Sequence, residues 1–480
     1  MPLPFPSARR LAVFVLALGM GLFTACGGGG AATAAGGAAP GGGGSAGGGA
    51  GGGAGGGAGG GGAAGGGTPA PAAGSELLVQ VALGVDIQAL AAARGLTVTG
   101  QFGKRPIYRL ALPVGRDVDA EVAALQQLSG VRYAEPNVRS ETPESRKNSV
   151  WAIGGDAGAY SAQWAPQSLR LAQAHALATG SGVRVAVLDT GVDGTHPALA
   201  GRLLPGRDFV DDDRDPSEAG STADLGYGHG THVAGLVALA APGARIVPVR
   251  ALDRAGAGNA WVLAEALLWA VDPDGNPASD DGAHVINLSL GSTRPTRVLE
   301  IAVALADCEF DDDDDTFDHP DFDDDRARCA LGHGAAVLSA AGNSGSADER
   351  LYPAAEQVPG TRSVTATTRD DRLADFANRG GWITLAAPGE AILSTVPGGA
   401  YGTWSGTSMA APLAAGTAAL VLGTPSPNPR PGAAALRRWT AEDLVKRLED
   451  RARPVCDASV KQIDALAAVS DTAPPDTVCR

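Results

Sequence analysis

Two histidines stand three apart in "GYGHGTHVAG", residues 226–235, among glycines and small side chains. An imidazole either binds a metal or carries a proton near neutral pH. His229 and His232 therefore admit a metal pair, a proton carrier or plain packing. The HxxH spacing is not the HExxH of zinc proteases. Nucleophilic hydrolysis asks for more than a histidine: a nucleophile, a base, a carboxylate to orient the base and a donor for the oxyanion. The chain offers one of each. Asp189 closes "VRVAVLD" and Asn343 closes "AAVLSAAGN". Ser408 lies in "WSGTSMAAPLAAGTAALVL", where a glycine-rich turn gives way to a long helix of small residues. A serine at a helix N-terminus meets backbone N–H groups and a dipole that favours negative charge.

These residues need a scaffold that brings distant points of the chain together. The runs "VRVAVLD" (183–189), "ARIVPVRAL" (244–252), "HVINLSL" (284–290) and "AAVLSAAGN" (335–343) are continuously apolar, as strands covered on both faces are. They alternate with helical stretches, which predicts an α/β fold with a parallel sheet and helices on both faces over 161–480. Such sheets bind ligands at the carboxyl ends of their strands, where Asp189, Ser289 to Gly291 and Asn343 fall. Residues 76–137 read separately as β-α-β-β-α-β, a small ferredoxin-like α+β module. Residues 138–160 are polar and irregular, as a cleavable linker would be.

The N-terminus is of another kind. Arg9 and Arg10 precede an apolar run from Leu11 to Phe23, so 1–26 reads as an export signal. The run ends in "LFTACGGGG", which resembles a bacterial lipoprotein cleavage site, with Phe23 where leucine is usual. Lipid on Cys26 would then anchor the chain to a membrane at the cell envelope or surface; the alternative is ordinary cleavage and release. Residues 27–75 are mostly Gly and Ala and bury too little to fold. They read as a tether with a spread of about 35 Å, or as a low-complexity expansion without a selected length. The net charge of −15 argues against nucleic acid as a partner. Cys308, Cys329, Cys456 and Cys479 remain, an even count that suggests disulfides in an exported chain. Of three pairings, proximity favours 308–329 and 456–479.

Five blocks taken together carry a resemblance: "VAVLDTGVDGTHPAL", "GHGTHVAG", "VINLSLGS", "SAAGNSG" and "SGTSMAAP". In that order they resemble the signatures of the subtilisin-like serine proteases, over about 161–421. Residues 76–137, closing in "YAEPN", resemble the family's inhibitory propeptide. The resemblance implies a serine endopeptidase acting on proteins or peptides, made as a self-processing zymogen that its own propeptide blocks. It implies that Asp189 supports His229, that His229 takes the proton of Ser408, and that Asn343 and the Ser408 N–H hold the oxyanion. It also implies that Gly256, Ala257 and Gly258 and Ser289, Leu290 and Gly291 clamp an extended peptide by strand addition. His232 becomes a packing residue behind His229. "GTSMA" alone is close to the GxSxG elbow of α/β-hydrolases, but that fold places its histidine after the serine, and no His follows His333. A silent surface protein that uses the same fold only to bind is the rival from another class, and the complete residue set speaks against it.

The remaining features are particular to this chain. "DFVDDDRDPSE" (208–218) offers oxygen ligands to a structural calcium, as related loops of the family do, or is a solvated acidic loop. The chemistry itself needs no cofactor. The family's other calcium loop, after "HGTHVAG", is shortened away. Leu413 stands where the family often has His, inside the helix rather than at the chemistry. The insert "CEFDDDDDTFDHPDFDDDRARC" (308–329) reads as a stapled solvated loop, a calcium site or a repulsive acidic surface. Nothing in the sequence asks for more than a monomer.

Overall fold

The computed structural model describes residues 75–146, 152–308, 320–429, 434–477 and 479. Cys26, the tract before 75, residues 147–151 of the linker and 309–319 of the acidic insert lie outside them.

Val185 and Val187 pack into one apolar cluster, and Ala186 and Leu188 into another on the opposite side. The strand Arg184–Asp189 is therefore buried on both faces, which is why its sequence does not alternate. It sits inside a nine-stranded sheet. On one side it pairs in parallel with Arg245–Arg250, and on the other with Val285–Leu288, followed by Ala336–Ala340, Thr361–Thr367 and Leu385–Pro388. The chain moves one way from Arg184–Asp189 and then returns to its other side. Asp189 thus stands at the point where strand order reverses, where such sheets form their crevice.

The helices His229–Ala240 and Thr407–Leu422 cover one face, and Ala260–Val271 and Arg297–Asp307 the other. The helix Thr407–Leu422 is buried along its whole length. It can lie there because its residues are small. A Cβ on Gly416 would come within 2.4 Å of Ala240 Cβ.

Residues 76–136 form the expected small module. Its four antiparallel strands lie in the order Thr97–Gln101, Ile107–Ala111, Glu76–Val81, Val131–Pro136, with two helices between them in sequence. Its last strand docks it to the larger body. The Glu135 carboxylate accepts the N–H groups of Arg297 (2.7 Å) and Val298 (3.0 Å), and Asn137 Oδ1 accepts that of Trp261 (3.1 Å). Both acceptors satisfy orphan donors at helix N-termini.

The linker differs from its reading as irregular. Arg139–Glu141 is a strand paired antiparallel with Ala257–Asn259, and Pro143–Arg146 is a 3-10 turn. Ala152–Ile153 pairs with Gly402–Thr403, and Ala157–Ala162 is helical. Polar side chains hid these elements, because a strand that borrows its partners from another part of the chain needs no apolar face of its own. Cys308 is bonded to Cys329 and Cys456 to Cys479.

The close helix contact yields a stability prediction. In a Ser408→Ala background, which prevents self-digestion, Gly416→Val should cost about 1–3 kcal/mol by overpacking. Thermal unfolding should show a melting point several degrees lower; an unchanged value would contradict this packing.

Candidate active site

The site forms where the carboxyl ends of three central strands face the N-termini of two helices. Asp189 ends its strand fully buried. Its Oδ1 accepts His229 Nδ1 at 2.7 Å and the Thr190 N–H at 2.8 Å. His229 opens its helix behind Gly228, whose φ of +86° suits glycine. The next residue must also be glycine, since a Cβ on Gly230 would lie 2.1 Å from the Gly191 carbonyl oxygen. That closeness is what brings the imidazole onto Asp189.

Ser408 is the second residue of the helix Thr407–Leu422. Pro412 lies four residues further on and has no N–H to give the Ser408 carbonyl. That carbonyl instead accepts the Ser289 hydroxyl at 2.9 Å. The proline thus frees an acceptor that ties the serine to the end of the strand Val285–Leu288. Asn343 is oriented by Thr407, whose N–H and hydroxyl both reach Asn343 Oδ1 at 2.9 Å. With its oxygen so fixed, the Asn343 Nδ2 points into the site.

A carboxylate waits there. Glu144 Oε2 accepts the Ser408 hydroxyl at 2.7 Å and lies 3.2 Å from His229 Nε2, and Glu144 Oε1 accepts Asn343 Nδ2 at 2.9 Å. One side chain from the linker therefore engages Ser408, His229 and Asn343 at once. Its backbone is held by the two clamping segments. Glu141 exchanges both hydrogen bonds with Gly291, N–H to O at 2.8 Å and O to N–H at 2.9 Å. The Thr142 N–H donates to Gly256 O at 3.0 Å, and Ala257 and Gly258 face Glu141 and Ser140. Ser289 and Leu290 are buried beside them.

Burial opposes a charge on His229, but Asp189, by charge and hydrogen bond, and then Glu144 outweigh it and push its pKa up to about 10. His232 behaves oppositely. Burial, and then the His229 charge, push it down to about 3. Its Nε2 lies 3.1 Å from Gly402 O and 3.2 Å from Ile392 O, and its ring stacks on Trp404 at 5.0 Å. It packs as a neutral ring between these carbonyls and Trp404.

Three residues of the site were not read from the sequence. Glu144 carried no signal, being one acid in a polar linker. Thr407 sits beside Ser408 in "SGTSMA", and its proximity was the available hint. Glu218 closes the back of the site: its Oε1 accepts the Thr190 hydroxyl (2.7 Å), and its Oε2 accepts the Thr231 hydroxyl (2.8 Å) and N–H (3.2 Å). It thereby links the residue after Asp189 to the helix that carries His229.

The candidate calcium loop is differently engaged. Arg250 places one guanidinium nitrogen 2.5 Å from both Asp208 and Asp211, so a cationic side chain already occupies the space between these two carboxylates. They do not fit a metal, and no step of the chemistry is routed through one. Among the described residues, Asp272, Asp274 and Asp281 converge elsewhere, with Ser279 hydrogen-bonded to the last two. Leu413 is buried within its helix, away from these contacts.

Comparison with known proteins bears on the family of the chain. The model of the subtilase family matches residues 180–463, and that of the fervidolysin N-terminal prodomain matches 70–137. A thermophilic serine proteinase of Bacillus sp. (strain AK1) is 38% identical over 321 residues, 65% of this chain and 67% of that protein. Thermitase of Thermoactinomyces vulgaris is 36% identical over 271 residues, 54% of this chain and 82% of that one. Among solved structures, fervidolysin from Fervidobacterium pennivorans superposes with a TM-score of 0.63 at 24% identity, a likeness of fold. The match covers 83% of this chain and 61% of that one.

The Glu144 contact carries a pH dependence with a definite sign. The His229 pKa is raised from 6.5 to about 10, first by Asp189 and then by Glu144, so the stabilisation by the protonated ring is complete below about 6.5 and lost as pH rises through about 10, and the Glu144 share of it belongs to the blocked form. Release of the block in the full chain should therefore quicken from pH 7 to 10. In Glu144→Gln it should be roughly 10–100-fold faster at pH 7, since a hydrogen bond to a charged group is worth ~1.5–3 kcal/mol. The rate of precursor processing followed by gel electrophoresis checks both; equal rates at pH 7 would contradict the contact.

Proposed function

This chain belongs to the subtilase family and is a subtilisin-like serine protease with a prodomain, and on that premise we propose that Asp189, His229 and Ser408 form its catalytic triad. The observation that supports this best is the single carboxylate on which His229, Ser408 and Asn343 converge. Groups that together embrace a carboxylate present the donors that a tetrahedral oxyanion needs.

Once Glu144 withdraws, the Ser408 Oγ attacks the carbonyl carbon of a peptide stretched between 256–258 and 289–291. Its proton passes to His229 Nε2 while Asp189 holds the other ring nitrogen and stabilises the imidazolium. The Asn343 Nδ2 and the Ser408 N–H take the oxyanion. His229 then gives the proton to the leaving amine, the acyl-enzyme remains on Ser408, and water cleaves it with the same base. The backbone pairing of 139–142 with both clamps places the linker as a substrate would lie, which supports self-cleavage within 138–160. We extend the proposal to export and to a lipid anchor on Cys26, read from residues 1–26. The released or anchored enzyme acts on proteins or peptides outside the cytoplasm, as a monomer and with no cofactor in its chemistry.

The expected outcomes are these. Ser408→Ala should leave the full chain uncut; normal processing of that variant would assign the cut to another protease. A fluorophosphonate should label Ser408, and His229→Ala should abolish labelling while His232→Ala mainly lowers stability. Asn343→Leu should lower kcat by about 10²–10³ with KM little changed, the loss of about 2.7–4 kcal/mol established for the matching donor in a subtilisin. For the anchor, Cys26→Ser should move the protein from the membrane fraction to the medium; an unchanged distribution would exclude lipid on Cys26.

A further inference from the structure

The acidic insert has no part in the chemistry, yet its described end is tightly held by the prodomain. The turn between the prodomain strands Thr97–Gln101 and Ile107–Ala111 reads Phe102-Gly103-Lys104-Arg105. Gly103 has φ +58°, and a Cβ there would lie 2.9 Å from the Arg105 guanidinium. The turn therefore projects two cations side by side, and both meet the helix Asp323–Ala330 that closes the insert. Arg105 binds Asp325 in a bidentate pair, Nε to Oδ2 at 2.9 Å and Nη2 to Oδ1 at 2.6 Å. The side chains of that pair are only 14% and 5% exposed. Lys104 Nζ lies 2.8 Å from Asp324 in a far more exposed pair.

An apolar floor lies beneath the charges. The Arg105 guanidinium stands 5.2 Å from the Phe102 ring and 5.9 Å from that of Phe322. Phe322, from the insert, is fully buried in one cluster with Phe102, Ile107 and Trp261. The helix is itself anchored from behind. Arg328 donates to His333 O at 2.7 Å and to Leu305 O, and Cys329 is bonded to Cys308.

We propose that Phe322 and the helix Asp323–Ala330, at the end of the disulfide-closed insert, form an exosite for the enzyme's own prodomain, selective for an aromatic–Gly–x–Arg turn. This rests on the zymogen reading above. A desolvated, bidentate charge pair tolerates no substitute: a prodomain lacking Arg105 leaves the Asp325 carboxylate buried without its partner. The insert thus makes inhibition cognate. It keeps the prodomain bound after the linker is cut, and the cleft contacts alone do not.

The test uses the full chain and follows two quantities after self-cleavage: the lag before peptide hydrolysis begins, and retention of the cut prodomain on gel filtration. In the wild type the prodomain should co-elute and the lag should be long. Arg105→Glu and Asp325→Arg should each shorten the lag by about tenfold or more and lose co-elution, with the same final activity. The double exchange R105E/D325R should restore both. Lys104→Glu, in the exposed pair, should change little. Single variants whose lag stays within twofold of wild type overturn the exosite. If a single variant fails to fold, the double exchange decides: recovery supports the proposal, and no recovery overturns it. A wild type that cuts itself and hydrolyses peptide with no lag overturns the zymogen reading, and the exosite with it.

Discussion

The hydrogen bond between Asp189 Oδ1 and His229 Nδ1 is the constraint around which the rest is arranged. It joins a strand end to a helix start, both buried, and each nearby feature either permits it or stiffens it. Gly230 permits it, because no side chain fits against the Gly191 carbonyl. Thr190 stiffens it twice, with its N–H on Asp189 and its hydroxyl accepting the Gly230 N–H. Glu218 joins Thr190 to Thr231 behind the pair, and burial pushes its own carboxyl up to about 7. Trp404 packs against His229 and His232 together. A buried ion pair is a weak source of stability, but its close, charge-assisted hydrogen bonds fix geometry. Here the geometry is what matters, since it sets the direction of His229 Nε2.

The same preorganisation explains why a carboxylate makes a good plug. Asn343 is locked by Thr407, and Ser408 is tied through its carbonyl to Ser289, before any substrate arrives. Donors arranged for a developing oxyanion bind a standing anion as well. Glu144 uses them from the side chain while its backbone neighbours lie in the clamp like a substrate. Blocking therefore needs no distortion of the site. His229 lies between two carboxylates that favour its charged form, whereas the proposed reaction needs it neutral. Glu135, Asn137 and the Arg105–Asp325 pair hold the prodomain at points outside the cleft, so the plug is delivered by several weak anchors and one specific one.

The fold and the outline of the site were legible because their signals are local. Continuous apolar runs gave the buried strands, and the change from glycine turns to small-residue helices gave the N-termini at His229 and Ser408. The split β-α-β-β-α-β pattern gave the small N-terminal module, and only the resemblance marked it as a prodomain. What stayed hidden depends on contacts with no local pattern. Glu144 meets Asn343 across 199 residues and Ser408 across 264. Arg105 meets Asp325 across 220. The acids of 208–218 read as metal ligands or solvated charges, because the residue that engages Asp208 and Asp211, Arg250, arrives from a neighbouring strand. The linker read as irregular because its strand partners belong to another part of the chain.

The central claim is that Glu144 adds to the larger effect of Asp189 in holding His229 charged in the uncut chain. It is tested most directly by NMR titration of the His229 ring in full-length Ser408→Ala, with and without Glu144→Gln. The account predicts titration near pH 10 when Glu144 is present and a marked fall in the double variant. Titration near 6.5 in both would contradict it.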